Sequence, residues 1–185
     1  ISNYLVGFVY KHWSDIQEFK KTSQLSEIPV LSFKEKQGPR MHFLVIGESL
    51  SRLHMGLYDY RRETNPLLKK EMDASDNFVV FKNSFSNHIT TMQTLSFALT
   101  EANQYNGKNY VDSFNIIDIA NKVGMKTIWL SNQGSLGKWE NHVSVLAQSA
   151  GEHIFINQND KTDFVPNKYD EELIKPFKNI LKKNK

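Results

Sequence analysis

Glu48 is the first residue of the chain whose type and position could support catalysis. It follows residues 43–47, Phe-Leu-Val-Ile-Gly, a short apolar run that predicts a buried strand. Gly47 would allow a sharp turn where that strand ends. Open α/β sheets bind ligands at the carboxyl ends of their strands, so Glu48 is well placed to bind a metal ion. The alternative is a solvated acid that begins a loop.

Thr90 and Thr91 supply hydroxyl groups at a second junction, where residues 87–92 lead from a predicted strand into a predicted helix. Helix N-termini favour bound phosphate through their N–H groups and dipole. A threonine hydroxyl is a poor nucleophile at neutral pH, but a divalent metal would lower its pKa and polarise a phosphoryl oxygen. Glu48 and Thr91 on adjacent strand ends could share that metal, zinc or another divalent cation. The alternative is simple helix capping.

Two polar loops complete the candidate site. The loop at residues 49–66 is rich in basic and aromatic side chains, which suit an anionic ligand that carries phosphate. These side chains belong to Arg52, His54, Tyr58, Tyr60, Arg61 and Arg62. Residues 129–134 again run from a predicted strand into a polar loop, where Asn132 and Gln133 could hydrogen-bond a substrate head group. The alternatives are arginines paired with neighbouring acids, and ordinary turn chemistry.

Composition limits the classes of function. The 185 residues suit one domain, or one domain with an extension, and 39% hydrophobic residues can bury a core. A net charge of +3 argues against a dedicated nucleic-acid surface. The absence of cysteine excludes a thiolate zinc site and a cysteine nucleophile. No apolar stretch reaches the roughly 18 residues that span a bilayer.

The pattern along the chain predicts the elements that position these residues. Residues 1–40 differ in composition from the rest and are interpreted as a linker, and the apolar spacing at residues 4–20 predicts an amphipathic helix. Beyond residue 41, strands and helices alternate, which predicts an α/β fold with a largely parallel sheet and helices on both faces. The predicted strands are 43–47, 78–85, 126–130 and 153–156. The predicted helices are 91–102, 113–123, 143–150 and 170–183, with Gly124 closing the second and Pro176 kinking the last.

The blocks Val45-Ile-Gly-Glu-Ser49, His54-Met-Gly-Leu-Tyr58 and Tyr60-Arg-Arg-Glu-Thr-Asn-Pro66 closely resemble the phosphoethanolamine transferases. These are membrane-anchored bacterial enzymes of the alkaline phosphatase and sulfatase superfamily. The resemblance covers roughly residues 42–160 and implies that Glu48 is a zinc ligand. It implies that Thr91, favoured over Thr90, is both a zinc ligand and the nucleophile, and it places Asn132 or Gln133 near the substrate phosphate.

The resemblance also implies what surrounds this sequence. Transmembrane helices in the bacterial inner membrane would precede the linker at residues 1–40, and residues 41–185 would be the N-terminal portion of a periplasmic catalytic domain. Further metal ligands, including an Asp-His pair, would follow in the chain. The implied reaction moves phosphoethanolamine from phosphatidylethanolamine to lipid A or a glycan. The alternatives are another hydrolase of the superfamily, a phosphoglycerol transferase, or an inactive fragment that lacks part of the metal site.

Overall fold

The computed structural model describes residues 40–134, 142–157 and 168–184. The chain divides into two compact units. Of the described residues, 40–87 belong to the first, which we call the loop unit, and 88–134, 142–157 and 168–184 belong to the second, which we call the sheet unit. The predicted linker at residues 1–40 lies outside the described residues except for Arg40, and the predicted helix at 4–20 lies wholly outside them.

Residues 40–87 of the loop unit contain two single-turn 3-10 helices and one α-helix. The 3-10 helices are Arg52–His54 and Gly56–Tyr58, and α1 is Pro66–Ala74. Pro66 occupies the first helical position, where its fixed φ fits the helix and its missing N–H costs no helical hydrogen bond. The residues up to Pro66 have the composition of a loop, and α1 was not predicted from them.

The predicted strands at residues 43–47 and 78–85 are wrong. Neither segment is assigned to a strand, and the apolar side chains of the first are exposed, with Val45 at 90%. An apolar run indicates that its side chains are favoured in a buried position. A strand requires in addition a neighbouring strand to which its backbone can hydrogen-bond. The described residues supply no such neighbour to either segment. Glu48 therefore follows an irregular segment rather than a strand.

The sheet unit contains two strands and four α-helices among its described residues. In chain order these are α2 (Thr91–Ala98), α3 (Ile116–Lys122), β1 (Ile128–Ser131), α4 (His142–Gln148), β2 (Glu152–Phe155) and α5 (Ile174–Lys183). The strands pair in parallel, with Ile128 opposite Glu152 and Ser131 opposite Phe155. Parallel pairing confirms the α/β prediction. Pro176 lies in the first turn of α5, and a 3-10 helix, Asp170–Leu173, replaces the predicted start of that helix.

Local signals fix both ends of α3. The Asn115 side chain accepts hydrogen bonds from the N–H groups of Ile117 (3.0 Å) and Asp118 (2.9 Å), as an N-cap does. At the other end Gly124 adopts φ +83, and the next N–H, from Met125, returns to the Ala120 carbonyl. This Schellman ending confirms the prediction that Gly124 closes the helix.

The core of the sheet unit lies between its helices and β1. Helix α2 lies against α4. Leu146 of α4 is fully buried. The buried apolar residues form one cluster: Leu99, Val111, Ile117, Val145, Leu146 and Ala150, with Leu95, Tyr110 and Trp129 packed against it. This cluster anchors the helix that begins at Thr91 and the strand that precedes Asn132.

Candidate active site

Thr91 is the first residue of α2, and its side chain is exposed. The preceding residue, Thr90, is extended and occupies the N-cap position, but its side chain makes no capping hydrogen bond. Instead, the Thr90 hydroxyl donates to Oε1 of Gln93 at 2.9 Å. Both threonines are exposed, and Thr91 stands at the end of the helix where N–H groups and the dipole favour an anion.

Packing from α2 holds the segment that leads to Thr91. The His88 ring stacks on Phe97 with centroids 5.9 Å apart, and Phe97 meets Tyr110 edge to face at 5.4 Å. The Thr94 hydroxyl donates to the His88 carbonyl at 3.1 Å. These contacts fix the backbone before the helix, so the direction from which the chain enters Thr91 is set by the sheet unit itself.

Glu48 is exposed and lies in the loop unit. The Ser49 hydroxyl donates to Glu48 Oε1 at 3.1 Å. Ser49 adopts φ 51, the left-handed region, so the turn after Glu48 is made by a serine and not by Gly47 as predicted. Thr91 belongs to the sheet unit, and the convergence of Glu48 and Thr91 on one cation stays a prediction.

The carboxylate of Glu48 and the hydroxyl of Thr91 are oxygen donors that suit a divalent cation. A closed zinc site needs about four ligands, and a catalytic one about three from the protein. Among the described residues, no three or more His, Cys, Asp or Glu side chains lie together so that they could hold a metal ion. The described residues are therefore insufficient for a complete zinc site, and these two oxygens could form only part of one.

The basic and aromatic loop is braced within its own unit. The guanidinium of Arg52 donates to the Lys82 carbonyl and lies 4.9 Å from the centre of the Phe85 ring. The Tyr58 hydroxyl donates to the Phe81 carbonyl at 3.3 Å. These contacts give Arg52 and Tyr58 a structural role in joining the loop to residues 81–85.

The Thr64-Asn65 pair closes the same loop from its other side. The Thr64 hydroxyl accepts from the Gly56 N–H at 2.9 Å and donates to the His54 carbonyl at 2.8 Å. Asn65 Oδ1 accepts from the Leu57 N–H at 3.0 Å. A Cβ on Gly56 would lie 3.1 Å from the Arg62 carbonyl oxygen, so a glycine fits this close approach. Much of the block that carries the family resemblance therefore folds the loop.

Asn132 and Gln133 directly follow β1, at the carboxyl end of the parallel sheet, and differ in their surroundings. Gln133 is exposed. Asn132 is half-buried, and its Nδ2 donates to Asp170 Oδ1 at 2.7 Å and to the Lys168 carbonyl at 3.1 Å. Both N–H groups of Asn132 thus have protein acceptors, whereas the Gln133 side chain reaches the surface at the edge where α/β sheets bind ligands.

Asn157 was not among the predicted site residues. It lies two residues beyond β2, is 3% exposed, and donates from Nδ2 to both the backbone oxygen and Oδ1 of Asn132, each at 2.8 Å. Its own Oδ1 is buried and has no hydrogen-bond partner within the part of the chain that the structure describes. The available signal was its position, because a polar residue just after the second parallel strand falls at the same edge as Asn132.

A family model described as Sulfatase matches residues 40–185 of this chain. The chain belongs to the sulfatase family. Within this class its curated relatives include phosphoethanolamine transferases. It is 33% identical over 156 residues to phosphoethanolamine transferase EptC of Escherichia coli O18:K1:H7. The aligned region covers 83% of this chain and 27% of that protein. It is 31% identical over 155 residues to phosphoethanolamine transferase CptA of Salmonella typhimurium, at 83% and 26% coverage.

Solved structures agree with this assignment. The C-terminal periplasmic domain of Escherichia coli EptC in complex with Zn matches with a TM-score of 0.67 and 30% identity, over 74% of this chain and 38% of that domain. The chain thus has an alkaline phosphatase/sulfatase-like fold, and it spans about a quarter of the length of the curated relatives it matches. Within the described ranges, no helix is long and apolar enough to cross a membrane.

Proposed function

We propose that this chain is part of a phosphoethanolamine transferase. The whole protein would move the head group from phosphatidylethanolamine to a cell-surface acceptor of the lipid A or glycan type. Its catalytic domain would lie in the periplasm, anchored to the bacterial inner membrane by helices that precede the sequence described here. The transferase names of the relatives and the likeness to a periplasmic domain support this proposal.

The observation that carries the mechanism is the position of Thr91, an exposed residue, as the first residue of α2. In the first step, Thr91 Oγ1 attacks the phosphorus of the donor and loses its proton. An O–P bond forms to Thr91, the P–O bond to diacylglycerol breaks, and the departing oxygen takes up a proton. In the second step, an acceptor hydroxyl attacks the same phosphorus, the Thr91 O–P bond breaks, and the threonine hydroxyl is restored.

Glu48 and Thr91 would provide two ligands of a zinc ion, and the other ligands would come from the rest of the protein. A bound zinc ion would lower the pKa of the nucleophilic hydroxyl and stabilise charge on the phosphoryl oxygens. The N-terminus of α2 favours the same negative charge through its dipole and N–H groups. The likeness to a domain solved as a Zn complex supports the choice of metal.

Asn132 and Gln133 would contact the phosphate of the head group. Gln133 is exposed after β1 and offers its amide directly. Asn132 would exchange an acceptor: its hydrogen bond to the Lys168 carbonyl, at 3.1 Å, is longer than the charge-assisted one to Asp170, at 2.7 Å. A phosphate oxygen would replace the Lys168 carbonyl while the bond to Asp170 is kept.

The full-length protein and its Thr91→Ala and Thr90→Ala variants test the nucleophile. We expect Thr91→Ala to lower transfer by roughly a thousandfold or more, because the covalent intermediate cannot form. Thr90→Ala is the matched control, since it removes an adjacent hydroxyl that is bonded to Gln93. The measurements are release of diacylglycerol and mass spectrometry of the stalled protein, with the head-group adduct expected on Thr91. An adduct on Thr90 would contradict the assignment.

A donor screen separates the transferase from other reactions of the family. Phosphatidylethanolamine, phosphatidylglycerol and a simple sulfate ester would be offered to the same full-length protein. Turnover of phosphatidylethanolamine with transfer to an acceptor is the expected result. Preference for phosphatidylglycerol, or hydrolysis of the sulfate ester, would overturn the proposed donor.

A further inference from the structure

Asn157 joins three parts of the sheet unit at one point. Its Nδ2 lies within hydrogen-bonding distance of the Asn132 backbone oxygen and Oδ1, and 3.4 Å from the Lys168 carbonyl. Asn132 follows β1, Asn157 follows β2, and Lys168 precedes the 3-10 helix at residues 170–173. Because three oxygens surround Nδ2, the orientation of the Asn157 amide is fixed by its donors.

The Asn132 amide is held from both sides. Its Oδ1 accepts from buried Asn157, and its Nδ2 donates to the carboxylate of Asp170. A half-buried asparagine without such partners can rotate about its side-chain bonds. With a neutral donor on one side and a charged acceptor on the other, the amide has one favoured orientation, with its N–H groups directed toward Asp170 and Lys168.

We infer that Asn157 and Asp170 are positioning residues that hold Asn132 in the orientation required for its contact with the head group. The inference rests on the proposed function for the role of Asn132. Asn157 is too buried to reach a ligand itself, so it would act only through Asn132. Asp170 would keep one Asn132 N–H bonded while the other is released from Lys168 to a phosphate oxygen.

No donor among residues 40–134, 142–157 and 168–184 reaches the Oδ1 of Asn157, which supports a positioning role over simple packing. A buried acceptor without a donor is unfavourable, so an apolar side chain would be favoured there if filling space were the only need. Only the N–H side of this amide makes hydrogen bonds among the described residues, and those bonds go to Asn132 and Lys168. The position of these groups at the carboxyl edge of parallel strands matches the place where such folds bind ligands.

A double-mutant cycle in the full-length protein tests the inference, with phosphatidylethanolamine as donor. Asn132→Ala, Asn157→Ala and the double variant would be compared by KM and kcat. We expect Asn157→Ala to lower kcat/KM about 10- to 100-fold, mainly through KM, because a misplaced amide loses its contact. The double variant should be no worse than Asn132→Ala, because Asn157 acts through Asn132. Additive losses would overturn the inference.

Asn121→Ala is the matched control. Asn121 is also an asparagine that joins segments of the sheet unit, but at the amino ends of the strands. We expect it to lower the thermal midpoint while kcat/KM stays within about threefold of wild type, because it is remote from the ligand edge. If Asn121→Ala lost as much kcat/KM as Asn157→Ala, the loss in Asn157→Ala would be explained by destabilisation of the fold, and the positioning role would be overturned.

Conservative variants separate orientation from folding. Asp170 is exposed, so Asp170→Ala should fold, and it should raise KM; Asp170→Asn should restore much of the loss because its amide oxygen still accepts from Asn132. Asn157→Asp preserves the shape of the side chain but places a carboxylate against three oxygens. We expect it to lower kcat/KM at least as much as Asn157→Ala does. Wild-type KM in Asp170→Ala would contradict the inference.

Failure of the proposed function would be visible separately, because the wild-type protein would then transfer no head group. A structure of the full-length Asn157→Ala variant decides the inference in that case. We expect the Asn132 amide to leave its wild-type orientation and to lose its bond to Asp170. An unchanged Asn132 in that variant would overturn the positioning role whatever the activity of the protein.

Discussion

The two ends of the parallel sheet are both joined by asparagines, but in different ways. At the amino end, Asn121 donates to the Ser149 carbonyl at 2.7 Å and accepts from the Thr127 hydroxyl at 2.5 Å. Thr127 in turn accepts from the Gly151 N–H at 2.9 Å. At the carboxyl end, buried Asn157 uses only its donors among the described residues and leaves Oδ1 without a partner.

This difference indicates what each end does. The amino-end network uses both polar atoms of the Asn121 amide in short hydrogen bonds, as expected of a connection that only stabilises the fold. The carboxyl-end network tolerates an unpaired acceptor and directs an amide toward an exposed edge. Proteins break local rules mainly at functional or strained sites, so the less satisfied end is the better candidate for function. Measuring the stability lost at each end tests whether the two ends differ in this way.

Asn121→Ala should give the largest loss of stability at the amino end. It leaves the Ser149 carbonyl and the Thr127 hydroxyl without their partner, and each half-buried group that is left unpaired costs about 1–3 kcal/mol. Native-state hydrogen exchange at the β1 and β2 amides of the full-length protein would report the change. A loss below about 0.5 kcal/mol would show that water replaces Asn121 easily, and that the amino-end network is not structural.

Replacing a glycine by alanine should destabilise the fold by different amounts at the two ends of the sheet. Gly124→Ala should cost about 1–2 kcal/mol, because φ +83 is unfavourable for a residue with a Cβ even though no atom lies within 4 Å of the added methyl. Gly134→Ala is the control beside Gln133, where the methyl would meet the Asn157 carbonyl oxygen at an ordinary 3.6 Å. Thermal midpoints of the two variants test this. Equal losses would contradict the assignment of strain to Gly124 alone.

The sequence predicted best where the signal is local. Gly124 was assigned to the end of α3 because a glycine after an apolar helical pattern is typical of helix ends, and its left-handed backbone confirms it. The strands around residues 128–131 and 152–155 were predicted to within about two residues, as expected for short apolar runs followed by turns. The helix that begins at Thr91 was also predicted, although it ends at Ala98 because the chain then turns to pair Thr100 with Asn115.

Features that depend on residues distant in the chain, such as strand pairing, could not be predicted from the sequence. The apolar run before Glu48 has the composition of a strand, but strand pairing is not encoded in the run itself. Helix α1 was missed although Asn65-Pro66 is a sequence signal for a helix start. For the candidate site, the residue types at Thr91, Asn132 and Gln133 were informative, whereas Asn157 carries no motif. Its role depends on the parallel register that brings it beside Asn132.

Asp118 gives the smallest expected change in stability. It is hydrogen-bonded to Ser149, whose carbonyl accepts from Asn121 in the amino-end network. Burial raises the pKa of the Asp118 carboxyl above its ordinary value of 3.8, against the opposing effects of hydrogen bonds from Asn115 and Ser149. The folded state therefore favours protonated Asp118. Its contribution to stability is fully present below the ordinary pKa and is lost as pH rises through the raised pKa.

Asp118→Asn removes this titration while its amide oxygen can still accept from Asn115. We expect the thermal midpoint of the variant, relative to wild type, to rise with pH across that window and to stay constant above it. The exposed Asp112→Asn variant controls for the change in net charge. A relative midpoint that falls as pH rises would mean that the Asp118 carboxylate stabilises the fold. The amino-end network would then depend on a buried charge. It would no longer differ from the carboxyl end by using neutral hydrogen bonds alone.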